Sequence, residues 1–302
     1  MRASFLYLIF LMKLTYCQRR IVGGMDAKDG MFPYAVFILI NNAGSCTGTL
    51  LTEEWILTAA HCLTTNTQPV VQITAGAANM KSPDAQTRFG VKVVIHNQYT
   101  SMMLGAYDMA LVKVQPAFNM SSSKIGTISL SSEIWPQDNQ VNVHCKALGW
   151  GRISTTGKTP EVLQYLDVVA KHGDNACPCV KRFEQKKVVC IEGMVGKGPC
   201  MGDSGGPLVC KGKEVGITHI AFNRKKCDPV YGDVPKITCG HEDTVVTYSF
   251  ICPQLDWIRQ TVPMVPATPE SCATITQCSC SFSLITILTI FVVFSVNIFY
   301  CI

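Results

Sequence analysis

Gly202-Asp203-Ser204-Gly205-Gly206-Pro207 is the stretch on which the reading of this chain turns. By itself a serine in a glycine-rich loop is a turn and nothing more. It acquires meaning from three segments that precede it in a fixed order: Ile21-Val22-Gly23-Gly24 directly after Arg19-Arg20, then Thr58-Ala59-Ala60-His61-Cys62, then Asp108-Met109-Ala110-Leu111. Each of these has a plain structural reading when taken singly. A histidine beside a cysteine packs, and an aspartate before an apolar run ends a strand. Together they supply what nucleophilic catalysis needs. A serine hydroxyl is a poor nucleophile until a base takes its proton during attack. An imidazole titrating near neutrality is that base, and a carboxylate fixes its tautomer.

The order His61, Asp108, Ser204, with these flanks intact, resembles the chymotrypsin/trypsin-like serine protease family, and the resemblance spans residues 21 to about 262. It implies a serine-type endopeptidase. His61 takes the Ser204 proton and returns it to the leaving amine, Asp108 orients His61, and the N–H groups of Gly202 and Ser204 form the oxyanion hole. Each such donor commonly contributes about 3–4 kcal/mol. The resemblance also implies a zymogen cut after Arg20 by a trypsin-like protease. The new Ile21 amine then pairs with Asp203, a buried ion pair better suited to a switch than to a stabiliser.

Disulfides implied by matching flanks are Cys46–Cys62, Cys145–Cys210, Cys200–Cys227, and Cys190 with Cys177 or Cys179, of which Cys179 is taken as the partner. One of Cys177 and Cys179 then stays unplaced with Cys239 and Cys252. The odd number of cysteines in the catalytic region leaves one free or paired outside it.

Specificity departs from the trypsin pattern. The family sets charge at the pocket base six residues before the serine, and that residue is Gly198. With no acid there, a cationic side chain would be buried without a partner, at high cost. The walls are Ala221 and Val246, with Met201 at the edge. This is a shallow apolar pocket, elastase-like or chymotrypsin-like, for uncharged P1 residues. The edge strand reads His219-Ile220-Ala221 where the family has Ser-Trp-Gly. The segment 228–244, carrying Cys239, is longer than the family's loop and stands where it narrows or gates the pocket. These departures define the rival reading, a non-catalytic protease homologue acting as a binding protein. A structural adhesion module has no positive support in the sequence.

Between residues 32 and 261, short apolar runs are punctuated by Gly, Asn, Pro and Thr. Strands are expected at 32–40, 47–59, 70–75, 89–96 and 109–114. Others are expected at 141–148, 163–170, 187–191, 208–209, 215–221 and 245–251. Only 253–262 reads as helix. The expected fold is all-β: two packed antiparallel six-stranded barrels, about 21–123 and 124–262, with a C-terminal helix and the triad in the cleft between them.

The 302 residues are 48% hydrophobic, with a net charge of +5 and no block of five or more like charges. The composition therefore gives no nucleic-acid footprint, and 224–226 is a solvated basic loop. Sixteen cysteines at scattered spacings point to an oxidising compartment rather than to zinc. No metal or organic cofactor is expected. Residues 1–17 read as a signal peptide and 18–20 as the propeptide. The Pro-rich 263–282 reads as a linker, and the uncharged 283–302 as a membrane span or a GPI signal. Ser271-Cys272-Ala273 followed by a polar spacer fits the GPI order, and no Lys or Arg follows the tail as a cytoplasmic flank. Asn119-Met120-Ser121 is a glycosylation sequon. Expected partners are protein or peptide substrates, the activating protease, protein inhibitors and, through the tail, the cell-surface membrane.

Overall fold

A computed structural model of the chain describes residues 21–273, apart from 66–67, 102–106, 136–141, 174, 181–186 and 226–237. After a two-residue strand β1 (Met25–Asp26), six antiparallel strands follow: β2 (Ala35–Ile40), β3 (Gly44–Leu50), β4 (Trp55–Thr58), β5 (Val71–Ala75), β6 (Gln86–Ile95) and β7 (Ala110–Gln115). They close into a barrel in the order β2-β3-β4-β7-β6-β5. A second set is β8 (Val143–Gly149), β9 (Gln164–Lys171), β10 (Val188–Ile191), β11 (Pro207–Cys210), β12 (Lys213–Asn223) and β13 (Thr244–Phe250). These run in the order β9-β10-β13-β12-β11-β8, and β8 pairs back onto β9 to close the second barrel. β1 adds to β9 through Met25↔Tyr165. Closure leaves no long edge of unpaired N–H and C=O groups, which suits a chain of many short β-branched strands.

The run 47–59, expected as one strand, is a hairpin. Thr52 is the reason: its hydroxyl accepts the N–H of Glu54 and Trp55, at 3.3 and 3.1 Å. That side-chain turn reverses the chain between β3 and β4 without glycine or proline. Between the barrels, Phe37 packs edge-on to Trp150 with ring centres 6.0 Å apart. Tyr34, Leu148, Leu163 and Val209 belong to the same buried cluster. The apolar faces of β2 and β8 thus meet.

Helix α1 (Leu255–Thr261) starts from a 3-10 turn with Pro253 at its first positions and buries Leu255 and Ile258. Its Trp257 ring lies 4.7 Å from that of His96, just past β6, and His96 Nε2–H donates to Gln254 Oε1 at 3.1 Å. Helix α1 is thereby fastened to the first barrel.

Two disulfides are Cys46–Cys62 and Cys145–Cys210. The others correct the expected pairing. Cys200 is bonded to Cys239, not to Cys227, and Cys190 to Cys177, not to Cys179. Cys179 is itself disulfide-bonded. Matching flanks cannot tell which of two nearby cysteines returns to a strand; backbone placement decides it, with Cα–Cα distances of 5.4 Å for Cys200–Cys239 and 5.7 Å for Cys177–Cys190. Cys252 pairs outside the catalytic region, with Cys272. The segment 263–273 is accordingly packed, in contrast to the expected linker. Val265 and Cys272 are buried, Thr268 and Asp256 exchange hydrogen bonds of 2.9 Å, and a last turn α2 (Glu270–Ala273) ends on the disulfide.

The expected signal peptide and propeptide, Arg20, Cys227, the spacer after 273 and the apolar tail lie outside the described residues. Among the described residues no helix is long and apolar enough to cross a membrane. Asn119 is exposed, its Oδ1 accepting the Ser121 N–H at 3.0 Å.

Candidate active site

His61 sits on a 3-10 turn, Ala60–Cys62, at the end of β4, tied to β3 by the Cys46–Cys62 bridge. Asp108 enters the first barrel just before β7 and is fully buried. The residue before it, Tyr107, holds a φ of +63°, sparsely populated for an aromatic side chain. Stacking on His96, with ring centres 4.9 Å apart, accompanies that backbone. The Asp108 carboxylate grips His61 twice: Oδ1 accepts its backbone N–H at 2.8 Å and Oδ2 accepts Nδ1–H at 2.6 Å. Burial alone would raise the Asp108 carboxyl. The His61 hydrogen bonds and the two neighbouring imidazoles outweigh it, and the group titrates below its ordinary range. It is therefore an anion at neutral pH, and His61 is fixed as the tautomer with Nε2 free.

A second imidazole reaches the same oxygen. The pairing of β12 with β13 slips between Thr218 and Ala221, and the irregularity aims His219 at Asp108. His219 Nε2 lies 3.3 Å from Asp108 Oδ2, its side chain is 9% exposed, and its ring centre is 5.6 Å from that of His61. Burial pushes its pKa down to about 4, so the ring is neutral. Its Nδ1 is buried without a hydrogen-bond partner. Sequence reasoning finds His219 only as an unusual pocket-edge residue and misses this contact.

The Ser204 turn is held against the first barrel by its backbone. Thr47 N–H donates to Ser204 O at 2.9 Å, Thr47 Oγ1–H donates to Gly202 O at 3.0 Å, and Gly205 N–H donates to Thr218 O at 2.8 Å. Gly202 adopts φ +101°, and a Cβ there would stand 3.1 Å from Gly151 Cα, so only glycine fits. Among the described residues no backbone acceptor takes the N–H of Gly202 or Ser204. Cys62 Sγ lies 3.8 Å from Ser204 O and 3.9 Å from His61 Nε2, which sets the serine loop beside the imidazole. Ser204 Oγ is not hydrogen-bonded to His61 in this arrangement of the described residues.

Asp203 is buried beneath the turn, accepting Gly151 N–H at 2.7 Å and Cys200 N–H at 2.8 Å. Gly151 makes room for it, since a Cβ there would fall 2.2 Å from Oδ2. Burial still pushes the carboxyl up to about 7. Among the described residues no cationic side chain pairs with it. Ile21 is fully buried at φ +38°, and the next residue, Val22, bridges to Gly198, whose N–H donates to Val22 O at 2.9 Å.

Gly198 and Val246 line one small cavity with Ile191, Gly193, Gly240 and Thr244, and the charged side chains Glu192 and Lys197 line it too. Val246 is paired with Ala221 on one side and Ile191 on the other, so Ala221 belongs to the wall strand without lining the cavity. Met201 is half exposed and lies off it.

The family model for trypsin matches residues 21–237. Trypsin V-B of Rattus norvegicus is 32% identical over 251 residues, covering 80% of this chain and 89% of the rat protein, and trypsin V-A of the same species matches to the same extent. Coagulation factor XI of Bos taurus is 32% identical over 261 residues, covering 82% of this chain but only 38% of that longer protein. Among solved structures, the chain is similar in fold to neuropsin, described as a serine protease expressed in the limbic system of mouse brain. The TM-score is 0.64 at 24% identity, covering 79% of this chain and 98% of that one.

Proposed function

The chain belongs to the trypsin family of serine proteases, and from that premise we propose that it is a secreted endopeptidase, activated by cleavage after Arg20, in which His61, Asp108 and Ser204 hydrolyse peptide bonds of protein substrates. The observation that carries this reading is the two-point grip of Asp108 on His61. It leaves Nε2 to take the Ser204 proton as Oγ attacks the scissile carbonyl, and to hand it to the leaving amine. The imidazolium formed in between is stabilised by a carboxylate that is already ionised. The N–H groups of Gly202 and Ser204, which no backbone acceptor takes among the described residues, are the donors for the oxyanion. Disulfides such as Cys46–Cys62 and Cys200–Cys239 fit an oxidising, extracytoplasmic site of action.

Two observations support activation by cleavage. Asp203 is a buried carboxyl pushed up to about 7, and a freed Ile21 ammonium supplies the cation it lacks. Ile21 also carries a left-handed φ, which a β-branched residue adopts only under strain. Once the Arg20–Ile21 bond is cut, that torsion no longer exists.

For specificity, the reading rests on Gly198, which puts no carboxylate at the pocket base, and on Val246, which narrows the wall; Glu192 and Lys197 line the same cavity. On a mixed peptide library, the chain cut after Arg20 should cleave after Ala, Val or Leu in preference to Arg or Lys by at least tenfold. The reverse preference overturns the pocket assignment.

The C-terminal anchor is proposed to be GPI. The Cys252–Cys272 bridge constrains where it attaches: cleavage before Cys272 would strip Cys252 of its partner, so the lipid is carried at or after Cys272. Phosphatidylinositol-specific phospholipase C should release the protein from cells expressing the full chain, with the bridge intact by peptide mapping. Complete retention would favour a peptide span.

A further inference from the structure

His219 is a second imidazole on the candidate catalytic carboxylate. We propose that His61, Asp108 and His219 together form a binding site for a divalent transition-metal ion of the zinc type, and that the bound ion inhibits the enzyme. The proposal rests on the catalytic reading for its inhibitory half only. Each of the three residues offers one ligand atom, and these atoms all lie within 4.8 Å of one another. Two imidazoles and one carboxylate are a donor set for zinc or its neighbours, not for magnesium or calcium, which take oxygen. The rings are already turned to the shared oxygen, at 2.6 Å for His61 Nδ1 and 3.3 Å for His219 Nε2.

The spacing is close to what an ion requires. With Zn–N bonds of about 2.0–2.1 Å, two imidazoles on one tetrahedral ion have ring centres about 5 Å apart. Here they are 5.6 Å apart. The His61–Asp108 contact has to open by several tenths of an ångström, and His61, with its side chain 33% exposed on the cleft, has room to do so. Asp108 stays fixed while Oδ2 turns to the ion, because Oδ1 keeps the His61 backbone N–H. That is the outer-shell support that holds a metal-binding carboxylate in place. A fourth position remains open to water from the cleft.

Inhibition follows from where the protons go. Coordination through His61 Nδ1 needs its lone pair, so the ring's one proton moves to Nε2. That is the nitrogen that has to accept the Ser204 proton, and it can no longer act as a base. At His219 the proton moves from Nε2 to Nδ1, which no group now engages. No net proton is released, and no oxidant or reductant is involved.

The test uses Co²⁺ as a visible reporter on the Ser204→Ala chain cut after Arg20, and Zn²⁺ inhibition on the active one. Co²⁺ should give tetrahedral absorption bands that Zn²⁺ displaces, and these should vanish in His219→Gln and in His61→Ala. Gln keeps an N–H donor for Asp108 while removing the metal ligand. Micromolar Zn²⁺ should inhibit the wild-type enzyme reversibly. In His219→Gln the inhibition constant should rise at least tenfold, each variant being measured against its own metal-free rate. No Co²⁺ band, or Zn²⁺ inhibition unchanged by His219→Gln, overturns the proposal. A His61- and His219-dependent Co²⁺ band in a chain without peptidase activity would support the site and sink the catalytic reading instead.

Discussion

Ser204→Ala, in the chain cut after Arg20, should lower kcat/KM on a peptide substrate by roughly four to six orders of magnitude. The loss is that large because nucleophile and base act as a unit. Without the hydroxyl, the proton-accepting Nε2 of His61 and the N–H donors of Gly202 and Ser204 have no attacking atom to serve, and only residual transition-state binding remains. The same change should leave the fold alone. The turn is built from backbone contacts, Ser204 O to Thr47 N–H and Gly205 N–H to Thr218 O, and none of these uses the side chain. The variant should therefore melt within a few degrees of the parent. Kinetics and a thermal melt on the same preparation decide the matter. Activity within tenfold of the parent, with the melt unchanged, would mean that another group is the nucleophile.

Much of this architecture is legible in the chain because each strand is specified locally. Runs such as Val71–Ala75 and Thr244–Phe250 are β-branched, apolar and bounded by turn residues, and nothing distant is needed to read them. The failures have a different origin. The break in 47–59 depends on one threonine hydroxyl caught by two N–H groups, a turn without glycine or proline. The Cys200–Cys239 bridge depends on which part of a long insertion passes beside the serine loop, which flank matching cannot determine. The packing of 263–273 follows from Cys252 finding Cys272 across a Pro-rich segment whose composition reads as linker. At the site, short motifs mark His61, Asp108 and Ser204, while the approach of His219 to Asp108 needs the slip in pairing between Thr218 and Ala221. The pocket is half legible for a similar reason. Gly198 and Val246 meet in one cavity, but Met201 and Ala221 occupy the right segments without lining it.

Asp203→Asn separates the switch from the fold. Asn preserves the shape beneath the serine turn but cannot become an anion, so the Ile21 ammonium freed by cleavage is left buried without a partner. Breaking a buried ion pair from one side costs about 3–5 kcal/mol, which corresponds to roughly two to three and a half orders of magnitude in the population of the active arrangement. The cut variant should therefore lose about that much kcat/KM while remaining folded. In the uncut chain the sign reverses. Asp203 titrates near its ordinary 3.8 when unfolded and is pushed up to about 7 when folded, so the folded state binds the proton more tightly. Its contribution is intact below pH 4 and is lost progressively as pH rises through about 7, a penalty of a few kcal/mol. Glu214, also pushed up to about 8 by burial, acts in the same direction, while His96 and His219, pushed down to about 4, oppose it. Only the difference between parent and variant isolates Asp203. In denaturant unfolding of the uncut chains, Asp203→Asn should match the parent near pH 4 and exceed it at pH 8. A stability difference that does not change with pH would show that Asp203 keeps its charge without the Ile21 amine, and full activity of the cut variant would remove the ion pair from the activation step.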